Sequence, residues 1–511
     1  MTFHSILFRT AEDRAKEDVR EAPDHFADLN LDQIIDAITA GKEEYDLKPF
    51  FYAPSRDTET VAYRHDVMRD LEGPDLRERI ESFAQQMRGM RGHLSHASKR
   101  RHRFEKARWF LDAVDLYCDA VSRLDRDLFA ADVKAQGFLA FREYLSAYAR
   151  SDRFTSLMAH TKTLKRELSS VTYCVLMRDN SVTVRRCESE SDYSTDVLAT
   201  FAKFKQGAVK GYAVDFSDLP DINHIEAKVL DFVAQLYPEI FLELGAYCNE
   251  NGDYADGVLT AFDREVQFYL SYLDYVSTFK RAGLPICYPG SSNESKDVHA
   301  NDSFDFALAH KLLAAGTPVV CNDFFLEGKE RIIIVSGPNQ GGKTTFARTF
   351  GQLHYLAALG CPVAGRDAQL WLSDRIFTHF EKEESLDNLR GKLEDDLVRI
   401  HQTLQSATSD SVIIMNEMFT STTASDASAL AKRVMERIIR LDALCVFVTF
   451  IDELASMSEK TVSMVSTVAP ENPAVRTYKV IRMRADGLAY AISIAEKYRL
   501  TYERLKERLG P

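Results

Sequence analysis

Apolar positions in the first half of the chain recur mostly at helical spacing. Leu31–Thr39 (LDQIIDAIT) is one such segment, and residues 61–124 carry two longer ones. Ile80, Phe83, Ala84 and Met87 line one face, and Phe110, Ala113, Val114 and Tyr117 line the other. The period changes over residues 171–186. Two β-rich runs, VTYCVLM and VTVRR, flank Arg178-Asp-Asn-Ser181, which predicts a hairpin. Helical spacing returns beyond Pro220, with Val229, Phe232, Val233, Leu236, Ile240 and Leu244 on one face and Phe262, Val266, Tyr269, Leu273 and Val276 on another. Aromatic stripes at this spacing are read as core packing rather than as a ligand box. Gly283-Leu-Pro285 and the Gly/Ser/Asn-rich stretch from Pro289 to Ser295 mark a linker.

After the linker the pattern becomes short, wholly apolar runs separated by helices. Residues 331–336 (RIIIVS), 411–415 (SVIIM) and 443–449 (ALCVFVT) suit buried parallel strands. A helix with Leu430, Val434, Ile438 and Ile439 on its apolar face joins the last two. Strand, helix and strand in succession predict parallel pairing and a doubly wound sheet. The expected fold is therefore mixed: an α-helical region, then an α/β domain with a mostly parallel sheet. The expected divisions are residues 1–55, 56–295 (with the hairpin inserted near 171–186) and 296–511.

The first strand runs straight into Gly337-Pro-Asn-Gln-Gly-Gly-Lys-Thr344, followed by Thr345 and a helical pattern. This is G-x-x-x-x-G-K-[ST] in strand–loop–helix context. Its glycines let successive amides turn onto phosphates, and the helix N-terminus adds the positive end of its dipole. Gly337, Pro338, Asn339, Gln340, Gly341, Gly342, Lys343, Thr344 and Thr345 are the candidate nucleotide-binding residues. Lys343 suits the β/γ-phosphates, and the Thr344 hydroxyl suits Mg²⁺. The second strand ends in Asn416-Glu417. In many nucleotide hydrolases the first of these positions is Asp and holds the metal shell. Asn416 keeps the shape but not the charge, so it is a weak metal candidate. Glu417 is the candidate catalytic group, orienting water.

Composition adds one restriction. The chain has 511 residues, with 64 Lys+Arg against 77 Asp+Glu and a net charge of −13. That balance argues against a protein coated in positive charge for nucleic acid, but not against a local stripe. One dense basic run spans residues 88–103, and it reads either as a solvated helix–loop face or as a phosphate-contacting patch. Arg88, Arg91, Lys99, Arg100, Arg101 and Arg103 are its candidate DNA contacts. The eight cysteines are scattered without a C-x-x-C pair, as expected for reduced thiols in a cytoplasm. No signal segment or membrane span is expected.

The C-terminal motifs resemble the MutS-like ATPases of DNA mismatch repair. The Pro-Asn in Gly337-Pro-Asn-x-Gly-Gly-Lys-Thr is similar to that family's loop. Leu359-Gly-Cys-Pro-Val-Ala364 is similar to a family segment, Asp374-Arg-Ile-Phe-Thr378 resembles a typical stretch at the expected distance, and Thr420-Ser-Thr-Thr-Ala-Ser-Asp426 sits where the family has a loop ending in Asp. The likeness is specific over roughly residues 322–480, and looser at residues 57–71, which resemble the entry to the family's helical core. The resemblance implies an ABC-like P-loop ATPase domain, with helices between Pro220 and Arg281 acting as its lever. It also implies ATP and Mg²⁺ as cofactors and a homodimer with nucleotide sites at the interface. Asp426 would support the dimer loop, and DNA and repair proteins would be the partners.

Departures from the family pattern qualify what it implies. Besides Asn416, Phe450 stands where the family's switch His follows Thr449, and the signature segment reads Leu389-Arg-Gly-Lys-Leu393, leaving Arg390 or Lys392 as possible phosphate contacts in trans. The glycines of the loop after Glu417 are absent. Phe141-Arg-Glu143 matches the letters of the family's mismatch wedge but lies in a helical pattern, so it reads as core, and mismatch reading is not expected. The expected activity is a slow ATPase (ATP to ADP and phosphate) that switches helical arms around DNA. The alternative is a nucleotide-gated binding or scaffold module with weak or no hydrolysis, acting on a protein partner or a non-mismatch DNA structure.

Overall fold

A computed structural model of the chain describes residues 3–10, 20–178, 181–187, 222–381, 391–469 and 471–484. Asp179 and Asn180 of the expected turn, and Leu389 and Arg390 of the signature segment, lie outside these residues. The chain divides into two compact units. One holds residues 73–133 and 139–263; the other holds 3–72, 134–138 and the chain from Arg264 onward. The expected boundaries at 55/56 and 295/296 do not coincide with this partition.

The first unit is built on long helices. Pro74–Lys99 starts with Pro at its first position, where the missing N–H costs nothing. It buries Leu76, Ile80, Phe83, Ala84, Met87 and Met90. Arg103–Ala130 packs along it and buries Leu111, Val114, Tyr117, Val121, Leu124 and Leu128 on its own inner face. Phe141 is fully buried, its ring stacked on Phe262 with centroids 3.6 Å apart, so the Phe-x-Glu letters belong to the core. The hairpin pairs β1 (Tyr173–Arg178) with β2 (Ser181–Arg186) in antiparallel register. The apolar face from Val229 to Leu244, which reads as one stripe in the sequence, is split. His224–Leu236 opens on an Asn223/Glu226 capping box and ends before Pro238, where Pro238–Glu250 begins. Proline lacks the N–H that a continuous helix would need at that point.

The second unit is a sheet unit. Its strands are β3 (Ile286–Cys287), β4 (Gly290–Ser292), β5 (Val298–Ser303), β6 (Asn322–Leu326), β7 (Ile332–Ser336), β8 (Val363–Ala364), β9 (Asp367–Trp371), β10 (Ile376–His379), β11 (Val412–Asn416), β12 (Leu444–Val448), β13 (Thr461–Ala469) and β14 (Asn472–Arg482). The main sheet has the order β10-β11-β12-β7-β13-β14, and every pair is parallel except β13–β14. Every residue of β7, β11 and β12 is buried, as their unbroken apolar runs require of central parallel strands. A smaller sheet orders β4-β9-β5-β6.

Residues 3–72 are stitched into this unit. Ser5 Oγ and Ile6 N both donate to the buried Glu265 carboxylate, at 2.7 and 3.0 Å. Arg64 donates to the carbonyls of Leu7 (3.0 Å) and Leu359 (2.9 Å). The short helix His25–Leu29 lies against β10, with Thr378 Oγ1 donating to Asp28 Oδ2 at 2.7 Å.

Candidate functional site

In a parallel sheet the carboxyl ends of the strands lie on one side. The register Asn416↔Val448 and Val448↔Val335 therefore brings the residues after β7, β11 and β12 to a common crest. Gly337–Gly342 leave β7 there. Glu417 and Phe450 flank them, with Glu417 N donating to Val448 O and Thr449 N to Val335 O, both at 3.0 Å.

The loop needs its glycines for two reasons. Gly337 and Gly342 adopt φ of 116° and 94°, the left-handed region that side chains avoid. A Cβ on Gly337 would also lie 2.7 Å from the Ser466 carbonyl, and one on Gly341 would run into Ser466 Oγ. Ser466 of β13 closes the back of the loop by donating to Gly341 O at 2.6 Å. Arg476 Nε on β14 donates to Asn339 O at 3.2 Å. The motif spacing says nothing of Ser466 or Arg476, because only the β7–β13 and β13–β14 pairings put them there. Pro338 is buried, whereas Asn339 and Gln340 are exposed.

The helix Lys343–Ala358 starts directly after Gly342, and no side chain caps its N-terminus. Its first amides therefore keep free donors at the positive end of the helix dipole. Lys343 is only 3% exposed. Its Nζ donates to the carbonyls of Gly337 (3.1 Å) and Pro338 (3.2 Å) and lies 3.4 Å from Asn339 Oδ1. Glu417 Oε1 is 3.5 Å away, and the Phe450 ring centroid is 4.3 Å away. Burial pulls the Lys343 ammonium below the usual lysine range, and the Glu417 carboxylate opposes that shift. Glu417 has φ of 52°, an uncommon backbone for a residue with a side chain. Thr344 Oγ1 donates to Asn416 Oδ1 at 3.0 Å.

These donors fit a polyphosphate: loop amides, an uncapped helix start and a buried ammonium converge on one crest. A divalent cation would find Thr344 Oγ1 and Asn416 Oδ1 adjacent, two neutral oxygens of the hard kind that Mg²⁺ prefers. Thr345 follows in the first helical turn, its carbonyl accepting from Thr349 Oγ1 at 2.9 Å. Asp426 sits apart from this cluster. It lies in the first turn of the helix Ala424–Leu441 and exchanges hydrogen bonds with the N-cap Thr423, at 2.9 and 3.2 Å.

The basic run separates into two sets. Arg88, Lys99, Arg101 and Arg103 are exposed, and of these the Arg103 guanidinium also lies 4.4 Å from the Phe104 ring and 3.9 Å from the Asp231 carboxylate. Arg91 pairs with the buried Asp263, and Arg100 is buried with its guanidinium 5.9 Å from the Trp109 ring. Both are held by internal partners, because a buried carboxylate needs its cation and an aromatic face attracts one. The sequence alone did not separate them, since all six are equally basic letters.

Residues 333–506 match the family described as MutS domain V. That segment of the chain is MutS-like. It is similar to a protein named Endonuclease MutS2 from Thermus thermophilus, 29% identical over 192 residues, which are 37% of this chain and 25% of that protein. A protein of the same name from Gemmatimonas aurantiaca is 28% identical over 205 residues, 39% of this chain and 25% of that one. The DNA mismatch repair protein MutS of Clostridium kluyveri is 26% identical over 295 residues, 56% of this chain and 33% of its own length. The matched part of this chain thus spans a quarter to a third of these relatives. No helix among the described residues is long and apolar enough to cross a membrane.

Proposed function

We propose that this chain is a nucleotide-dependent DNA-binding protein of the DNA-repair class, a slow ATPase working as a cytoplasmic homodimer. The observation that carries the reading is the buried Lys343 ammonium at the neck of the glycine loop, beside an uncapped helix and within reach of Glu417. Bound MgATP would supply a phosphoanhydride bond open to hydrolysis. Lys343 and the amides of Gly337–Gly342 hold the phosphate charge, and Thr344 with Asn416 offers oxygens to the metal. Glu417 orients water once its carboxylate has parted from Lys343. Asp426 supports the loop facing a second copy, and the exposed Arg88, Lys99, Arg101 and Arg103 contact DNA phosphates.

The test is equilibrium binding of MgATP to the wild type and to Lys343→Ala. Losing a charge-assisted contact to phosphate should weaken binding by about a hundredfold; wild-type affinity in the variant would overturn the assignment. DNA affinity should fall linearly with log salt and change on adding nucleotide.

A second reading, a nucleotide-gated module that barely hydrolyses ATP, is favoured by the neutral Thr344–Asn416 pair and by Phe450 beside Lys343. It extends to a protein partner or a non-mismatch DNA structure in place of mismatched DNA. Single-turnover phosphate release separates the two readings, since only the ATPase returns phosphate.

A further inference from the structure

Lys343 has no open side. Two loop carbonyls, the Asn339 amide oxygen, the Glu417 carboxylate and the Phe450 ring surround an ammonium on a residue that is 3% exposed. An incoming anion must therefore displace at least one of them. The Gly337 and Pro338 carbonyls belong to the loop backbone and cannot leave without unmaking the loop. Phe450 is the opposite case. The residue is 53% exposed, and its ring faces the Lys343 ammonium. Its neighbours are pinned: Thr449 N donates to Val335 O, and Ile451 N donates to Thr449 Oγ1 at 3.0 Å. The ring can therefore swing by side-chain rotation while the backbone stays in place.

We propose that Phe450 sets the affinity of this site by competing with phosphate for the Lys343 ammonium. The inference rests on the reading of Gly337–Thr344 as a nucleotide site. The face of an aromatic ring carries negative quadrupole charge. It attracts the ammonium and repels a phosphate oxygen, so the two cannot share that side of Lys343. Glu417 competes in the same sense, by like charge. Phosphate arrival therefore frees both side chains from the lysine together, and Glu417 becomes available to water only in the step that displaces the ring.

The experiment is equilibrium titration of a slowly hydrolysed fluorescent ATP analogue with Mg²⁺. It compares the wild type, Phe450→Ala, Phe450→Leu, Phe450→Trp and Lys343→Ala, with melting temperatures confirming that each variant folds. Ala and Leu both lack a π-face and should tighten binding by about three- to tenfold. Trp, the stronger cation-binding ring, should weaken it by a similar factor. Wild-type affinity in both Ala and Leu would overturn the competition while leaving the nucleotide reading intact. Tightening by Ala but not Leu would overturn it too, because bulk and not the ring would then be the obstacle. If no variant and not the wild type binds, the nucleotide reading itself falls. Binding by Ala and Leu alone would show the competition at full strength.

Discussion

At the scale of single residues, protonation of buried groups governs how this protein responds to acid. His25, His65 and His354 are all buried in the sheet unit, and burial holds each ring at a pKa of about 4 against an ordinary 6.5. His354 Nδ1 donates to Phe350 O at 2.7 Å, a bond that sets the tautomer and partly opposes the burial that keeps the ring neutral. Between about pH 6.5 and 4 the unfolded chain binds protons that the folded chain refuses. Stability is therefore full above this window and falls as pH drops through it, by on the order of 1 kcal/mol per pH unit for each histidine. Urea unfolding midpoints should drop clearly from pH 7.5 to 5.5, and His354→Gln should flatten that dependence. A midpoint unchanged over this range would contradict the assignment of neutral buried rings. The residues of the crest were legible in the sequence to unequal degrees. Lys343, Thr344 and Asn416 follow from local spacing, since a strand leading into a glycine loop leaves their placement little freedom. Ser466 is invisible to such a pattern, because its contact with Gly341 depends on which strand the sheet sets beside β7.

At the scale of elements, the helix Lys343–Ala358 is buried around nearly its whole circumference beyond the first turn, held between the sheet and the helix His25–Leu29. Gly351 makes that double contact possible. A Cβ there would lie 2.6 Å from Ile414 Cδ1 and 2.8 Å from the Leu29 methyls. Gly351→Val should destabilise the protein by about 1–3 kcal/mol through overpacking, read as a lower urea midpoint. A variant as stable as wild type would mean that Leu29 and Ile414 yield freely. The central strands were legible because unbroken apolar runs of four to six residues, bounded by polar ones, have few alternatives to a buried parallel sheet. The helix break at Pro238 shows the opposite: hydrophobic spacing continues across it, and only the missing proline N–H separates the two helices.

At the scale of the whole molecule, the sheet unit is assembled from distant parts of the chain. Glu265, 2% exposed, accepts from Ser5 and Ile6. Glu265→Ala would leave these donors buried and unmatched, a cost of about 2–4 kcal/mol. The expected result is earlier cleavage within residues 3–10 in limited proteolysis, with Glu265→Gln partly protected because its amide oxygen still accepts. Equal cleavage of the Ala variant and the wild type would show that the carboxylate does not anchor this segment. None of this was readable in sequence, since a mixed acidic stretch carries no mark of its partner.

The same stitching has a consequence for synthesis. The segment from Phe3 to Glu72 leaves the ribosome long before β7, β11 and β12 exist to receive it. At roughly 5–20 residues per second, its apolar side chains wait on the order of tens of seconds for their site. During that interval Ile6, Leu7, Phe8, Phe50 and Phe51, all buried in the finished protein, lack the later partners, such as Phe268, that complete their burial. The nascent chain is thus a client for holding factors, and a synonymous slow codon between the units would lengthen that dependence without altering one residue of the product.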